Sequence, residues 1–267
     1  SLITVGYSAN ALGGAGGPLA VLIIAIVASE LGKAVSKETR VDILVTPLVT
    51  IFSGVGLSML IAAPIGAAAS QVGTLIMWAT EQAPLVMGIL VSVIVGVALT
   101  LPISSAAICA ALGLTGLAGG AAVAGCCAQM IGFAVMSYKE NGVGGLVSQG
   151  LGTSMLQMGN IVKNPRIWIA PTLASAITGP LATCVFHFEM NGAAVSSGMG
   201  TCGLVGQIGV YTGWVSDIAA GTKAAITPMD WAAMVLLCFV LPAVLSVIFC
   251  EIERKLGWIK EGDLKLN

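Results

Sequence analysis

Residues 85–102, LVMGILVSVIVGVALTLP, and 114–136, LTGLAGGAAVAGCCAQMIGFAVM, decide the fold. Neither contains Asp, Glu, Lys or Arg, and each is close to the ~20 apolar residues that carry a helix across a hydrocarbon core. Working outward, residues 1–29, 43–80, 82–138, 167–188 and 190–216 are likewise free of formal charge. The chain of 267 residues is 57% hydrophobic and 9% charged, whereas soluble domains carry about 25% charged residues. Such a composition cannot dress a water-facing surface, which excludes a soluble enzyme, a nucleic-acid binder and a disordered chain together. A net charge of −1 leaves no basic field to attract nucleic acid. A membrane β-barrel would show alternating segments of about ten residues, and these runs are continuous instead. The expectation is an all-α polytopic membrane protein.

Seven spans are expected, at roughly 15–32, 43–63, 64–80, 85–102, 114–136, 167–187 and 231–250. The third is short and rich in Gly and Ala, and residues 104–113 read as a turn or broken helix. The stretches Gly145–Asn160 and Gly192–Val215 are too glycine-rich for ordinary spans. Lys and Arg stay preferentially on the cytoplasmic side. With Lys33, Lys37 and Arg40 inside, alternation through these spans also puts Lys139, Lys163, Arg166 and the tail inside. That holds only if both glycine-rich stretches are re-entrant, and it leaves Lys223 as the one basic residue outside. Residues 1–250 are read as one membrane domain, with scaffold-like helices in 1–136 and the re-entrant elements and solute site in 137–250. Residues 251–267 form a cytoplasmic tail. The chain opens at Ser1 without Met, so a processed start or missing upstream helices is expected.

Irregular backbone at membrane depth persists only where protein or a water-filled cavity satisfies it, and paired broken segments point to a transporter's binding site. Glu189 follows a charge-free span and precedes the second broken segment. An ionisable group at that depth is a functional candidate, and a carboxylate in the headgroup region is the plain alternative. Its neighbour His187 is the only histidine. The site reading gathers His187, Glu189, Asn191, Gly198, Gly200, Thr201, Gly203 and Gln207 from one segment with Gln157 and Asn160 from the other. The glycines free backbone to approach a solute, and the amides supply donors and acceptors. Asn164, before Pro165, reads as a cap.

Other patterns have plainer readings. Gly198–Gly203 matches G-x-G-x-x-G but lacks the strand and βαβ context of a dinucleotide site. Cys126 and Cys127 are adjacent, without a second pair for zinc. The odd cysteine count in apolar segments argues against a disulfide framework. Gly116 and Gly120 form a GxxxG packing seam. No catalytic constellation, metal site or cofactor site is expected.

Val41–Pro47 (VDILVTP), Gly150–Gln157 (GLGTSMLQ), Asn160–Pro165 (NIVKNP), Phe188–Asn191 (FEMN), Gly198–Thr201 (GMGT) and Gly203–Gln207 (GLVGQ) resemble the EIIC membrane-component family of the bacterial phosphotransferase system, in the branch of perfringolysin O regulator-like proteins. The resemblance implies a homodimeric sugar permease in the bacterial cytoplasmic membrane, with re-entrant hairpins, a moving transport domain and soluble phosphotransferase partners. It also implies more spans than this chain holds. The chain carries no recognisable phosphocysteine or phosphohistidine domain. Some relatives are described as regulators, so a membrane sensor that binds a related ligand without transport stands beside the permease.

Overall fold

The computed structural model describes residues 17–36 and 42–266; Lys37 and Arg40 of the basic loop and residues 1–16 lie outside them. Among the described residues the chain is helical, with one isolated antiparallel bridge between Gly116 and Met190. Four helical stretches are long and apolar enough to cross a membrane: Asp42–Gln82, Gly116–Met136, Pro165–Val185 and Pro228–Lys255; Pro84–Thr100 is a shorter apolar helix. The chain divides into two compact units, residues 1–74 with 110–112, and residues 75–109 with 113–267.

In the first unit, α1 (Gly17–Val35) packs through Ala20, Ile24 and Ala62 on the part of α2 (Asp42–Gln82) that precedes residue 75. Asp42 opens α2 and accepts a hydrogen bond from Thr46 Oγ1 at 2.6 Å. The expected break between residues 63 and 64 is absent, because α2 runs unbroken for 41 residues with Pro47 and Pro64 inside it. A proline deletes one backbone hydrogen bond and kinks a helix, yet the remaining ladder is the only partner an apolar surrounding offers. The seven expected spans therefore fall on six helical segments.

The second unit is built around α5 (Gly116–Met136), which follows the short α4 (Ser105–Leu112) in the chain and is buried along most of its length. It packs against α3 (Pro84–Thr100), α8 (Ile169–Pro180, extended by a π-helical turn Leu181–Val185) and α11 (Leu241–Lys255). Small residues let these backbones approach, as membrane helix interfaces require. Ser92 Oγ donates to the Ser175 carbonyl at 2.8 Å, and Ser175 Oγ reaches the Gly125 carbonyl at 3.2 Å. At the centre of α5, fully buried Gln129 accepts from Trp168 Nε1 at 2.9 Å and Thr100 Oγ1 at 3.3 Å. Its amide nitrogen donates to Thr172 Oγ1 at 3.3 Å. A polar side chain in an apolar core persists because its partners are supplied.

Two irregular segments close this unit. The first descends as α6 (Tyr138–Val147), turns through a π-helical Ser148–Gly152 and a 3₁₀ turn Ser154–Gln157, and returns as α7 (Met158–Lys163). The second runs through the 3₁₀ turns Ala194–Gly198 and Cys202–Leu204 into α9 (Val205–Ala219). Their tips meet where Thr201 Oγ1 donates to the Gly150 carbonyl at 2.6 Å. Each segment leaves from and returns to its own end of the bundle. Asn191 and Asp217, flanking the second, are bonded at 2.9 Å. Asn141 and Asn160, flanking the first, both bond the tail, at 2.8 and 2.9 Å.

Candidate functional site

The residues after α8 form the site because they alternate. Val185 ends the π turn, and His187 enters the left-handed region (φ 43°), swinging the chain into an extended stretch. Successive side chains of extended backbone point to opposite faces. Phe188 and Met190 accordingly enter the core beside Val123, Cys127, Val210 and Leu237, while Glu189 and Asn191 face out. Met190 exchanges two 3.0 Å backbone hydrogen bonds with Gly116, at the start of α5. Gly120 lies so close beneath that a Cβ there would occupy the Phe188 carbonyl. The Gly116/Gly120 seam therefore takes this chain's own extended stretch rather than another helix.

A cavity of about 600 Å³ opens here, lined among others by His187, Glu189, Asn191, Trp214, Asp217, Lys223 and Asp230. Its volume lies within the roughly 300–1,000 Å³ of small-molecule sites. Asn191 Nδ2 donates to Glu189 Oε2 at 3.0 Å and to Asp217 Oδ2 at 2.9 Å, so one amide clamps two carboxylates. Both amide hydrogens are then used, and each carboxylate keeps a second oxygen as an acceptor. Lys223 Nζ pairs with Asp230 Oδ1 at 2.8 Å and lies 5.6 Å from the centroid of the Trp214 ring. Asp230 is fixed by a capping box with Thr227 at the start of α10 (Pro228–Val235), which a π-helical Leu236–Val240 joins to α11. Trp231 packs edge-on against Trp214, centroids 5.6 Å apart. Three carboxylates face one ammonium, so the cavity is rich in acceptors and its field repels anions.

The other residues expected at the site lie elsewhere. Gly198 packs against Ser105, whose Oγ donates to its carbonyl at 2.7 Å. Gly200 packs on Cys126 and Cys127, and Gly203 forms the left-handed turn before α9. Thr201 is fully buried on Gly150. Gln207 Nε2 reaches Cys127 Sγ at 3.2 Å, and its Oε1 is buried without a partner among the described residues. None of these lines the cavity. Gln157 and Asn160 sit at the opposite end of α5, which spans 21 residues or about 32 Å. Gln157 Nε2 donates to Gln149 Oε1 and to the Leu264 carbonyl, both at 2.9 Å. Asn160 Nδ2 donates to Gln157 Oε1 at 2.8 Å and to the Lys265 carbonyl at 2.9 Å. These amides bond the tail, a partner about 105 residues away that local sequence does not reveal. Asn164 does cap, accepting from Arg166 N at 3.3 Å, and also holds the tail at Trp258.

Asp217, Trp214, Lys223 and Asp230 are among the cavity residues that sequence reasoning missed. One signal was present: Lys223 stood alone among the basic residues on its face. All seven cysteines are free, and among the described residues no three His, Cys, Asp or Glu side chains converge as metal ligands.

Apolar helices of membrane length, two broken segments meeting tip to tip, and a polar cavity at one end define a helical membrane protein of transporter type. The family described as "Phosphotransferase system, EIIC" matches residues 2–266, and the chain belongs to it. It is thus a membrane component of the phosphotransferase system. No curated protein and no solved structure matches the chain significantly.

Proposed function

We propose that the chain is a permease component that moves a small, hydroxylated, uncharged solute, a sugar, across the bacterial cytoplasmic membrane. The observation that carries this reading is the Glu189–Asn191–Asp217 clamp on a cavity of about 600 Å³. Fixed carboxylate oxygens accept hydroxyl hydrogens, and charge-assisted hydrogen bonds are the strong ones. Of the residues expected from the sequence, His187, Glu189 and Asn191 remain in the site; Asp217, Trp214 and Lys223 join them. Gly198, Gly200, Thr201, Gly203 and Gln207 belong to the packed second segment rather than the cavity, and Gln157 and Asn160 anchor the tail.

The two broken segments are read as re-entrant hairpins entering from opposite membrane faces. Supporting this, Lys139 pairs with Glu251 at 3.0 Å and Arg166 lies 5.5 Å from the Trp258 ring, which groups the basic residues around the tail. Lys223 lies at the cavity end. The tail end is then cytoplasmic. Residues 137–250 carry the solute site against helices of the preceding segment. Two copies of the chain, with soluble phosphotransferase components, make the working assembly. The alternative, a sensor, binds solute without moving it.

Counterflow of radiolabelled glucose, N-acetylglucosamine and mannitol in proteoliposomes tests the reading. Exchange of one of them across the bilayer is expected; binding without counterflow selects the sensor.

A further inference from the structure

We propose that segment 256–266 is a latch whose docking is coupled to the cavity through the joined tips of the two broken segments. The regulatory half of this inference rests on the cavity reading above; the latch and its coupling do not.

The segment lacks regular secondary structure; six of its backbone N–H groups bond locally, and five other backbone groups bond side chains of residues 140–164. The Leu264 carbonyl accepts from Asn141 Nδ2 at 2.8 Å and from Gln157 Nε2 at 2.9 Å. The Lys265 carbonyl accepts from Asn160 Nδ2 at 2.9 Å, and Leu266 N donates to Asn141 Oδ1 at 2.8 Å. Gly262 N reaches Glu140 Oε1 at 3.3 Å, and Asn164 Nδ2 donates to the Trp258 carbonyl at 2.9 Å. Only Ile259 and Leu264 are buried anchors, in the cluster of Phe133, Ile161 and Ile167. Water replaces each backbone bond when the segment leaves, so release is a local opening well below global unfolding. Release has a consequence inside, because Gln157 and Asn160 are buried and lose their acceptors.

From there the contacts are continuous. Gln157 Nε2 is shared between the Leu264 carbonyl and Gln149 Oε1. Gln149 is fully buried and is fixed by Ser137 Oγ at 2.7 Å. The next residue, Gly150, gives its carbonyl to Thr201 at 2.6 Å. Thr201 belongs to the segment that begins at the cavity residue Asn191 and returns to it at Asp217. Docking therefore holds the first tip, the first tip holds the second, and the second sets the spacing of the carboxylate clamp.

The test is amide hydrogen exchange on the full chain in lipid nanodiscs. Thr201→Val removes the tip hydroxyl and touches nothing in 256–266. Coupling predicts exchange there about two- to tenfold faster than in the parent, the worth of one ordinary hydrogen bond. Thr201→Ser keeps the hydroxyl and should exchange like the parent. In the reverse direction, Asn160→Ala should quicken exchange across 196–204. Unchanged exchange at 256–266 in folded Thr201→Val overturns the proposal; if that variant fails to fold, unchanged exchange at 196–204 in Asn160→Ala does so. Saturating glucose, N-acetylglucosamine or mannitol supplies the regulatory arm. A sugar that slows exchange at 187–191 must also slow it at 256–266, because coupling between sites is reciprocal. Protection confined to 187–191 overturns the regulation. If no sugar protects 187–191, the cavity reading fails for these solutes, and the variants alone decide the latch.

Discussion

Thr201 donates its hydroxyl to the carbonyl of Gly150 at 2.6 Å, and through this bond the tips of two segments from opposite ends of α5 touch. Both residues are buried. Irregular backbone inside a membrane protein needs such internal partners. The bond joins the element beside the cavity to the element that carries the tail.

The cavity's charge makes a selectivity prediction. Glucose 6-phosphate and glucuronate should compete for the site far more weakly than glucose, because Glu189, Asp217 and Asp230 repel an added anion. Competition against a bound radiolabelled sugar, at low and moderate salt, measures it. Equal competition by the anions would contradict the acceptor-rich reading.

The cavity wall depends on Gly120. Gly120→Val should destabilise the fold by about 1–3 kcal/mol or prevent folding, since its side chain has no room beside the Phe188 carbonyl. Thermal unfolding in detergent checks this. Ala220→Val, at an exposed position, is the control and should unfold like the parent.

Two ion pairs at the tail end should differ sharply. Arg254 and Glu140 have side chains only 16% and 10% exposed, whereas Lys139 and Glu251 are 71% and 46% exposed. Removing one partner of a buried pair strands the other charge and costs roughly 3 kcal/mol, while an exposed pair, screened by solvent, contributes little. Arg254→Met should therefore lower the unfolding temperature markedly and Lys139→Met hardly at all. Equal losses would show that burial does not rank these pairs.

The neighbouring residue should behave in the opposite sense. Glu253 is 3% exposed, and neither carboxylate oxygen has a partner among the described residues. Burying an uncompensated polar group is costly, so Glu253→Met should unfold at a higher temperature than the parent. A lower temperature would reveal a partner for that carboxylate.

Much of the fold was legible because lipid imposes a simple demand. Charge-free runs at 85–102, 114–136, 167–187 and 231–250 fall on helices, and the glycine-rich stretches at 145–160 and 192–215 fall on the two broken segments. The break expected between residues 63 and 64 is absent, because a helix without competing water carries on through Pro64. At the site, Glu189 was legible from its isolation after an apolar span. Gln157 and Asn160 were not, because an amide near a broken segment looks the same whether it serves a solute or a distant backbone carbonyl. Asp217 and Asp230 were hidden for the complementary reason. Each sits at a helix end, where a carboxylate is commonplace until the fold brings Asn191 and Lys223 to it.

A topology prediction separates the two ends of α5. In a cysteine-free background, Ala220→Cys and Glu261→Cys, both exposed positions, should label with an impermeant maleimide from opposite sides of the membrane. Labelling from one side would contradict the re-entrant reading of the second segment.

The central claim is that the Glu189 carboxylate holds a hydroxylated solute, and the most direct measurement is equilibrium binding of radiolabelled glucose, N-acetylglucosamine and mannitol to Glu189→Gln. The substitution keeps the shape and removes the charge. Losing a hydrogen bond from a charged group should weaken binding by roughly 1.5–3 kcal/mol, or about ten- to a hundredfold in Kd. Glu189 is exposed, so the unfolding temperature should stay that of the parent. A Glu189→Gln protein that binds the same sugar with the parent's Kd would contradict the account.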